Sequence, residues 1–325
     1  MKKKYRVVIA GLGNIAWRFD NNLDNKRHIL THASAYLRNQ KTKIVGGCSP
    51  DKEDRLSFEK AFNVSSYCTL EEAVDNTNPD IISICSPTNF HFVQTMYCLE
   101  KEIPMIWLEK PPAISLFEHD QLISVNKRHE YKSKVLVNYQ RRYSESYIKL
   151  RSLYREKKLG ECRMIQINYS RGLETNGSHM LDIIFFILGD ECNPTLNWIK
   201  KPTISENPSI FLSIENGPDV IISGLILSYH CIDIIITFDL GRASIIYGGM
   251  EPRVETKKEH EFFPGFYRLK EEASTLLGSK GIASCMEEAL KDLIESFESN
   301  QQPRSNLITS RKTQDIIEEI RKGKS

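Results

Sequence analysis

The sequence predicts an α/β chain in two parts: an N-terminal doubly wound parallel sheet over residues 1–140 and a C-terminal α/β domain over 141–325 whose sheet is mostly antiparallel. Three observations predict it. The chain of 325 residues is about twice a typical domain of about 150. Its first third alternates short runs that are apolar on both faces with helical patterns charged on one face, as parallel strands joined by right-handed crossovers require. From about residue 161 strand candidates follow one another directly, separated by turn signals.

Taken in order, residues 7–10, 43–46, 81–85, 105–108 and 135–137 form the buried strands of the first part, and 51–62, 70–76, 90–101 and 115–130 its helices. The second part is expected to place strands at 162–170, 194–201, 209–215, 219–229, 231–239 and 242–247, with one helix over about 178–188. Asn216-Gly217-Pro218 and Gly241 stand where hairpins turn. Two helical patterns, about 282–298 and 308–322, close the chain.

Apolar residues make up 40% and charged residues 26%, an ordinary globular composition that excludes intrinsic disorder as the main state. Forty-four basic against 42 acidic residues leave a net charge of +2, too even for a chain that neutralises nucleic-acid phosphates or an anionic membrane. No apolar stretch approaches the roughly 18–20 residues that cross a bilayer. The run after the basic Met1–Lys4 stops at Gly11, so it lacks the apolar region of a secretion signal, and a cytoplasmic location is expected. Eight cysteines are scattered without a Cys-x-x-Cys pair, which predicts reduced, buried thiols and no metal site.

The first strand runs into Gly11-Leu12-Gly13-Asn14-Ile15-Ala16. In a strand-loop-helix context the first glycine permits the turn, the second lets backbone amides approach a diphosphate, and the small alanine lets helix pack on strand, with the helix's positive end toward the phosphates. This is the loop of a Rossmann dinucleotide-binding fold. After the second strand an NAD-preferring site usually presents a carboxylate, and here Ser49 takes that place. Asp51 suits the ribose diol of NAD, whereas Lys52 or Arg55 suits the 2′-phosphate of NADP, so both cofactors remain admissible. The long interval before Ser49 predicts a polar loop insertion over 20–27.

Four segments, Gly11 to Ala16, Ser86-Pro87-Thr88-Asn89-Phe90-His91, Glu109-Lys110-Pro111 and Gly177-Ser178-His179-Met180-Leu181-Asp182, occur in an order and spacing that resemble the Gfo/Idh/MocA family of nicotinamide-dependent oxidoreductases. The resemblance extends through Gln140-Arg141-Arg142 and Leu159-Gly160 to the closing helices. It implies a Rossmann domain followed by an α/β domain with an open antiparallel sheet, the active site lying between them. It also implies hydride transfer between NAD or NADP and a hydroxyl or keto group of a sugar, cyclitol or nucleotide sugar. By the same resemblance Lys110 polarises the substrate oxygen and His179 relays its proton, while Asp182, one helical turn beyond, orients the ring or binds substrate. Ser86, Pro87, Thr88, Asn89, His91, Glu109 and Lys110 would then line the nicotinamide side of the cofactor.

Arg141, Arg142 and Arg171 are candidates to clamp an anionic substrate group, Thr175 and His179 to bind substrate, and Trp17 and Arg18 to reach the same cleft. The chain departs from the family at Thr175, where many sugar dehydrogenases place an acid four residues before the histidine. Either Asp182 or Glu174 substitutes, or Lys110 carries more of the chemistry, or the chemistry is lost. Two alternatives follow: a noncatalytic nicotinamide-binding protein, and a lyase or hydrolase that oxidises a sugar transiently. A homodimer or homotetramer is expected, through the apolar 221–236 region of the second sheet.

Overall fold

A computed structural model describes residues 4–21, 29–202, 206–272, 277–278, 282 and 284–323. From residue 22 onward, the polar insertion expected over 20–27 lies outside the described residues. The chain packs as two compact units, Met1–Gln140 with Ala283–Arg311, and Arg141–Ile282 with Lys312–Ser325.

In the first unit, strands β1 (Tyr5–Ala10), β2 (Thr42–Cys48), β3 (Ser66–Tyr67), β4 (Ile81–Ile84), β5 (Met105–Leu108) and β6 (Lys134–Val137) form one sheet in the order β3-β2-β1-β4-β5-β6. Every pairing is parallel. The strand order reverses between β1 and β4, and ligands of doubly wound sheets bind outside the strand ends at such a point. The crossovers carry α1 (His32–Arg38), α2 (Lys52–Phe62), α3 (Leu70–Thr77), α4 (Thr88–Glu100) and α5 (Leu116–Arg128). Thr31, Asp51, Thr69 and Ser115 start four of them, each side chain accepting the amide of Ser34, Asp54, Glu72 or Glu118 respectively.

The second unit opens with α6 (Glu145–Arg155) and contains α7 (Ser178–Leu188), buried from Ser178 through Ile187. Its strands are β7 (Cys162–Tyr169), β8 (Pro194–Lys200), β9 (Ser209–Ile214), β10 (Asp219–Gly224), β11 (Ile232–Phe238), β12 (Gly241–Ile246), β13 (Glu251–Glu259) and β14 (Tyr267–Glu271). They form an eight-stranded sheet, order β14-β13-β12-β11-β7-β10-β9-β8, antiparallel except where β10 pairs with β7. Period-two burial on β11 sends Ile232, Ile234, Ile236 and Phe238 into the core and leaves Asp233, Ile235 and Thr237 half-exposed.

The sequence reading contained no α6, β13 or β14. The two strands form the edge of the sheet; β13 buries only Pro252 and Val254 on its inner face before turning wholly polar, and β14 is exposed throughout, so periodicity carried little signal. The strand expected to run to 229 stops at Gly224, where a Cβ would stand 2.2 Å from the Asn207 carbonyl oxygen. The closing helices, α8 (Cys285–Glu298) and α9 (Leu307–Lys322), fall where expected. Although the sequence reading gave 141–325 to the second domain, 283–311 packs with the first unit. There α8 buries Met286, Ala289, Leu290, Leu293 and Ile294. All eight cysteines are free; Cys68 is exposed and Cys162 and Cys192 are half-buried, a departure from uniformly buried thiols.

Candidate functional site

β1 is buried from Val7 to Ala10 and ends at Gly11, which turns the chain at φ +85°. A Cβ at Gly11 would stand 2.4 Å from the Ser86 amide nitrogen, so glycine is required for the loop to lie against the end of β4. At Gly13 a Cβ would meet nothing within 4 Å. The space over the second glycine is open, and Ala16, three residues on, is buried. Among the described residues the helix expected to follow the loop is a single wide turn over Asn14–Arg18, and α1 begins at His32. Trp17 and Arg18 also depart from their expected cleft. The Trp17 indole donates to the Leu12 carbonyl at 2.9 Å and packs edge-on against Phe58 and Phe62 of α2, while Arg18 pairs with Asp54 at 2.5 Å.

At the end of β2, Ser49 is buried, its Oγ accepting the Asp51 amide at 3.2 Å and donating to Asp54 Oδ2 at 3.4 Å. Asp51 caps α2 by accepting the Asp54 amide at 2.8 Å. Arg55 Nη1 donates to the Ser49 and Pro50 carbonyls at 2.7 and 2.9 Å.

The β4–α4 loop presents exposed Pro87 and Asn89, with Thr88 starting α4, while Ser86 Oγ donates to Gln94 at 2.6 Å. His91 is buried and takes the part of a helix-start residue turned onto backbone rather than toward the nicotinamide side of the cofactor. Its Nδ1 lies 2.7 Å from the Pro111 carbonyl oxygen and its Nε2 2.8 Å from that of Ser86, so the ring staples the two loops together. Glu109 departs likewise. Its Oε1 meets His32 Nε2 at 2.9 Å and Asn138 Nδ2 at 2.5 Å, and its Oε2 accepts the Lys110 amide at 3.3 Å. Burial pushes the Glu109 carboxyl up, but His32, Asn138 and the Lys110 charge together hold it below the usual carboxylate range. The network continues from His32 Nδ1 to Ser83 Oγ at 2.9 Å and from there to the Tyr36 hydroxyl at 2.6 Å. Sequence reasoning missed it; the available signal was Ser83, a polar interruption in an otherwise apolar buried strand. Lys110 itself is half-buried, ahead of the cis bond to Pro111.

In the second unit a wide turn over Leu173–Gly177 leads into α7 and places His179, 8% exposed, as its second residue. Thr175 is exposed. The two carboxylates that were candidates to replace the missing acid are committed to cations: Glu174 to Arg321, and Asp182 Oδ2 to Arg142 Nε at 2.8 Å. Arg142 is completely buried, reaches Asp190 at 2.9 Å and lies 5.5 Å over the Phe186 ring. The roles expected of Arg142 with substrate and of Asp182 in catalysis thus give way to a buried ion cluster beneath α7. Burial pushes the Asp182 carboxyl up to about 6 against the pull of Arg142.

Arg141 is buried with its Nε unpartnered, and Arg171 is exposed just beyond β7 at φ +68°. Both act on His230, a residue sequence reasoning missed, whose Nδ1 lies 3.5 Å from Asn176 Nδ2. Burial and the two guanidiniums hold the His230 ring below its ordinary pKa. Among the described residues no group of three His, Cys, Asp or Glu side chains could hold a metal ion, and no helix is long and apolar enough to cross a membrane.

Residues 5–139 match the model of the Gfo/Idh/MocA oxidoreductase family, NAD-binding Rossmann fold. D-glucoside 3-dehydrogenase of Escherichia coli (strain K12) is 26% identical over 209 residues, 57% of this chain and 54% of that protein. Myo-inositol 2-dehydrogenase of Thermotoga maritima is 22% identical over 162 residues, 50% of this chain and 44% of that protein. The chain thus spans about half the length of the curated relatives it matches. An inositol dehydrogenase homolog from Azotobacter vinelandii, solved with NADH and myo-inositol, shares the fold with a TM-score of 0.78 at 16% identity, covering 99% of this chain and 97% of that one.

Proposed function

We propose that the chain, whose residues 5–139 match the NAD-binding Rossmann fold of the Gfo/Idh/MocA oxidoreductase family, is an NAD-dependent dehydrogenase or reductase acting on a CH–OH group, or the matching ketone, of a sugar or cyclitol. The observation that carries this reading is the glycine loop, pressed on β4 at Gly11 and open above Gly13. When bound, the nicotinamide supplies or accepts the hydride. Backbone from Gly11 to Ala16 holds the diphosphate, and Pro87, Thr88 and Asn89 border the ring end.

Lys110 polarises the reacting oxygen, its backbone fixed through Glu109 by His32 and Asn138. His179 takes or returns the hydroxyl proton, a task suited to an imidazole near neutrality. The glucoside and inositol dehydrogenases among the relatives support a polyol substrate. Arg141 and Arg171 beside His230 support an anionic group on it, as in a sugar acid or nucleotide sugar. Assembly as a homodimer or homotetramer would use the outer face of the second sheet, around Ile221 and Ile235.

The test is a fluorescence titration with NADH, then a screen of polyols, sugars, sugar acids and nucleotide sugars for a change in reduced-nicotinamide absorbance. Lys110→Ala and His179→Ala should each reduce turnover at least about a hundredfold with cofactor affinity nearly intact. Unchanged rates in both variants overturn the roles. Thr175, together with the commitment of Glu174 and Asp182 to arginines, favours a second reading as a noncatalytic nicotinamide-binding protein. Tight NADH binding without turnover of any compound would select it.

A further inference from the structure

Resting on the proposed function, we infer that Tyr36, Ser83 and His32 are positioning residues for Lys110: a one-way chain of hydrogen bonds runs from the Tyr36 hydroxyl through Ser83 and the His32 ring to Glu109 and holds that carboxylate against the Lys110 backbone. All of these residues belong to the first unit. His32 opens α1 and Tyr36 follows one turn later on the same face, toward Ser83 of β4. The Tyr36 hydroxyl is 2.6 Å from Ser83 Oγ, which is 2.9 Å from His32 Nδ1, and His32 Nε2 is 2.9 Å from Glu109 Oε1.

The donors supply the direction. Burial raises the Tyr36 phenol well above its ordinary pKa, so it keeps its hydrogen and donates it to Ser83. Ser83 is then free to donate its own hydrogen to Nδ1. A charged carboxylate only accepts, so the ring hydrogen sits on Nε2 and points at Glu109. Reversal would set the Nε2 lone pair against the carboxylate, and His32 and Ser83 are completely buried, away from the water that could relieve it. The ring also lies over Trp107 with centroids 4.1 Å apart. The Trp107 indole donates to Asn138 Oδ1 at 3.2 Å, and Asn138 Nδ2 donates to the same Glu109 oxygen at 2.5 Å. With Oε1 held twice, Oε2 is left to accept the Lys110 amide at 3.3 Å.

Two measurements on the whole chain need neither nucleotide nor substrate. Nitrogen-15 spectra of the chain carrying labelled histidine read which ring nitrogen of His32 bears hydrogen, and hydrogen exchange reads the Lys110 amide. The unmodified chain should show hydrogen on Nε2 and none on Nδ1. Tyr36→Phe keeps the ring's shape but lets the Ser83 hydroxyl swing away from Nδ1, and Ser83→Ala removes that donor. Each should shift the Nδ1 signal and speed exchange of the Lys110 amide about tenfold while circular dichroism shows an intact fold. Ser83→Thr, which keeps the hydroxyl, should restore both readouts. With any compound that the polyol screen finds turned over, Tyr36→Phe should reduce kcat about tenfold and leave KM and NADH affinity nearly unchanged. Hydrogen on Nδ1 in the unmodified chain overturns the inference, as does a Lys110 amide whose exchange neither Tyr36→Phe nor Ser83→Ala alters. Failure to bind NADH overturns the proposed function, while the two ligand-free measurements still decide the hydrogen-bond chain.

Discussion

Replacing Arg142 by methionine removes the cation beneath α7 and leaves a buried carboxyl behind. Arg142 has no exposed side chain and that of Asp182 is 1% exposed. Even with the guanidinium 2.8 Å away, burial holds the Asp182 pKa at about 6 against a reference of 3.8. The folded state therefore binds this proton more tightly than the unfolded state. The group's stabilising contribution is complete below pH 3.8 and is lost as pH rises through about 6, a change on the order of 3 kcal/mol.

Without Arg142 the carboxyl titrates higher still, so the variant keeps losing stability above the pH at which the parent protein levels off. Near pH 5 both proteins hold Asp182 mostly protonated, and the variant lacks the hydrogen bonds, the pairing with the partly exposed Asp190 and the contact with Phe186, about 1–2 kcal/mol. Near pH 8 the loss should grow to about 4 kcal/mol, within the range for breaking a buried ion pair. Hydrogen exchange of the α7 amides in a urea series measures the second unit directly at both pH values. An equal loss at both, or less than about 1 kcal/mol near pH 8, refutes the reasoning.

Gly11→Ala should destabilise the first unit by at least about 2 kcal/mol, because a Cβ would meet the Ser86 nitrogen at 2.4 Å from a left-handed backbone. Gly13→Ala should leave the melting temperature nearly unchanged yet weaken NADH binding about a hundredfold, since it fills open space only the ligand would use. Wild-type NADH affinity in Gly13→Ala argues against a diphosphate held there. His119, its Nε2 2.8 Å from the Leu307 carbonyl oxygen, is pushed down to about 4 by burial from 6.5. Its contribution is present above pH 6.5 and lost as pH falls through about 4, so the first unit should weaken by on the order of 3 kcal/mol over that window. His119→Gln should flatten that slope in urea unfolding, and an unaltered slope would show that another group is responsible.

Much of the fold was legible because it follows from local chemistry. Runs such as 81–85 and 105–108 are apolar on both faces, and sheets covered on both sides demand that composition. The glycine loop was legible because a left-handed turn in backbone contact tolerates no side chain at Gly11. The roles of Glu109, His91, Arg142 and Asp182 were not. His32 lies 77 residues from Glu109, and Arg142 lies 40 from Asp182. Spacing along the chain cannot show which polar groups meet in the interior.

By itself the sequence located most of the strands and helices and the glycine loop that follows β1. Tertiary structure alone decided that α8 returns to the first unit, that His91 and Glu109 brace the loops beside Lys110, and that Arg142 is bound to Asp182. Secondary structure responds to the periodicity of neighbouring side chains, which is written locally. Buried polar groups must find partners wherever packing removes water, and which partner arrives is settled only when distant segments come together.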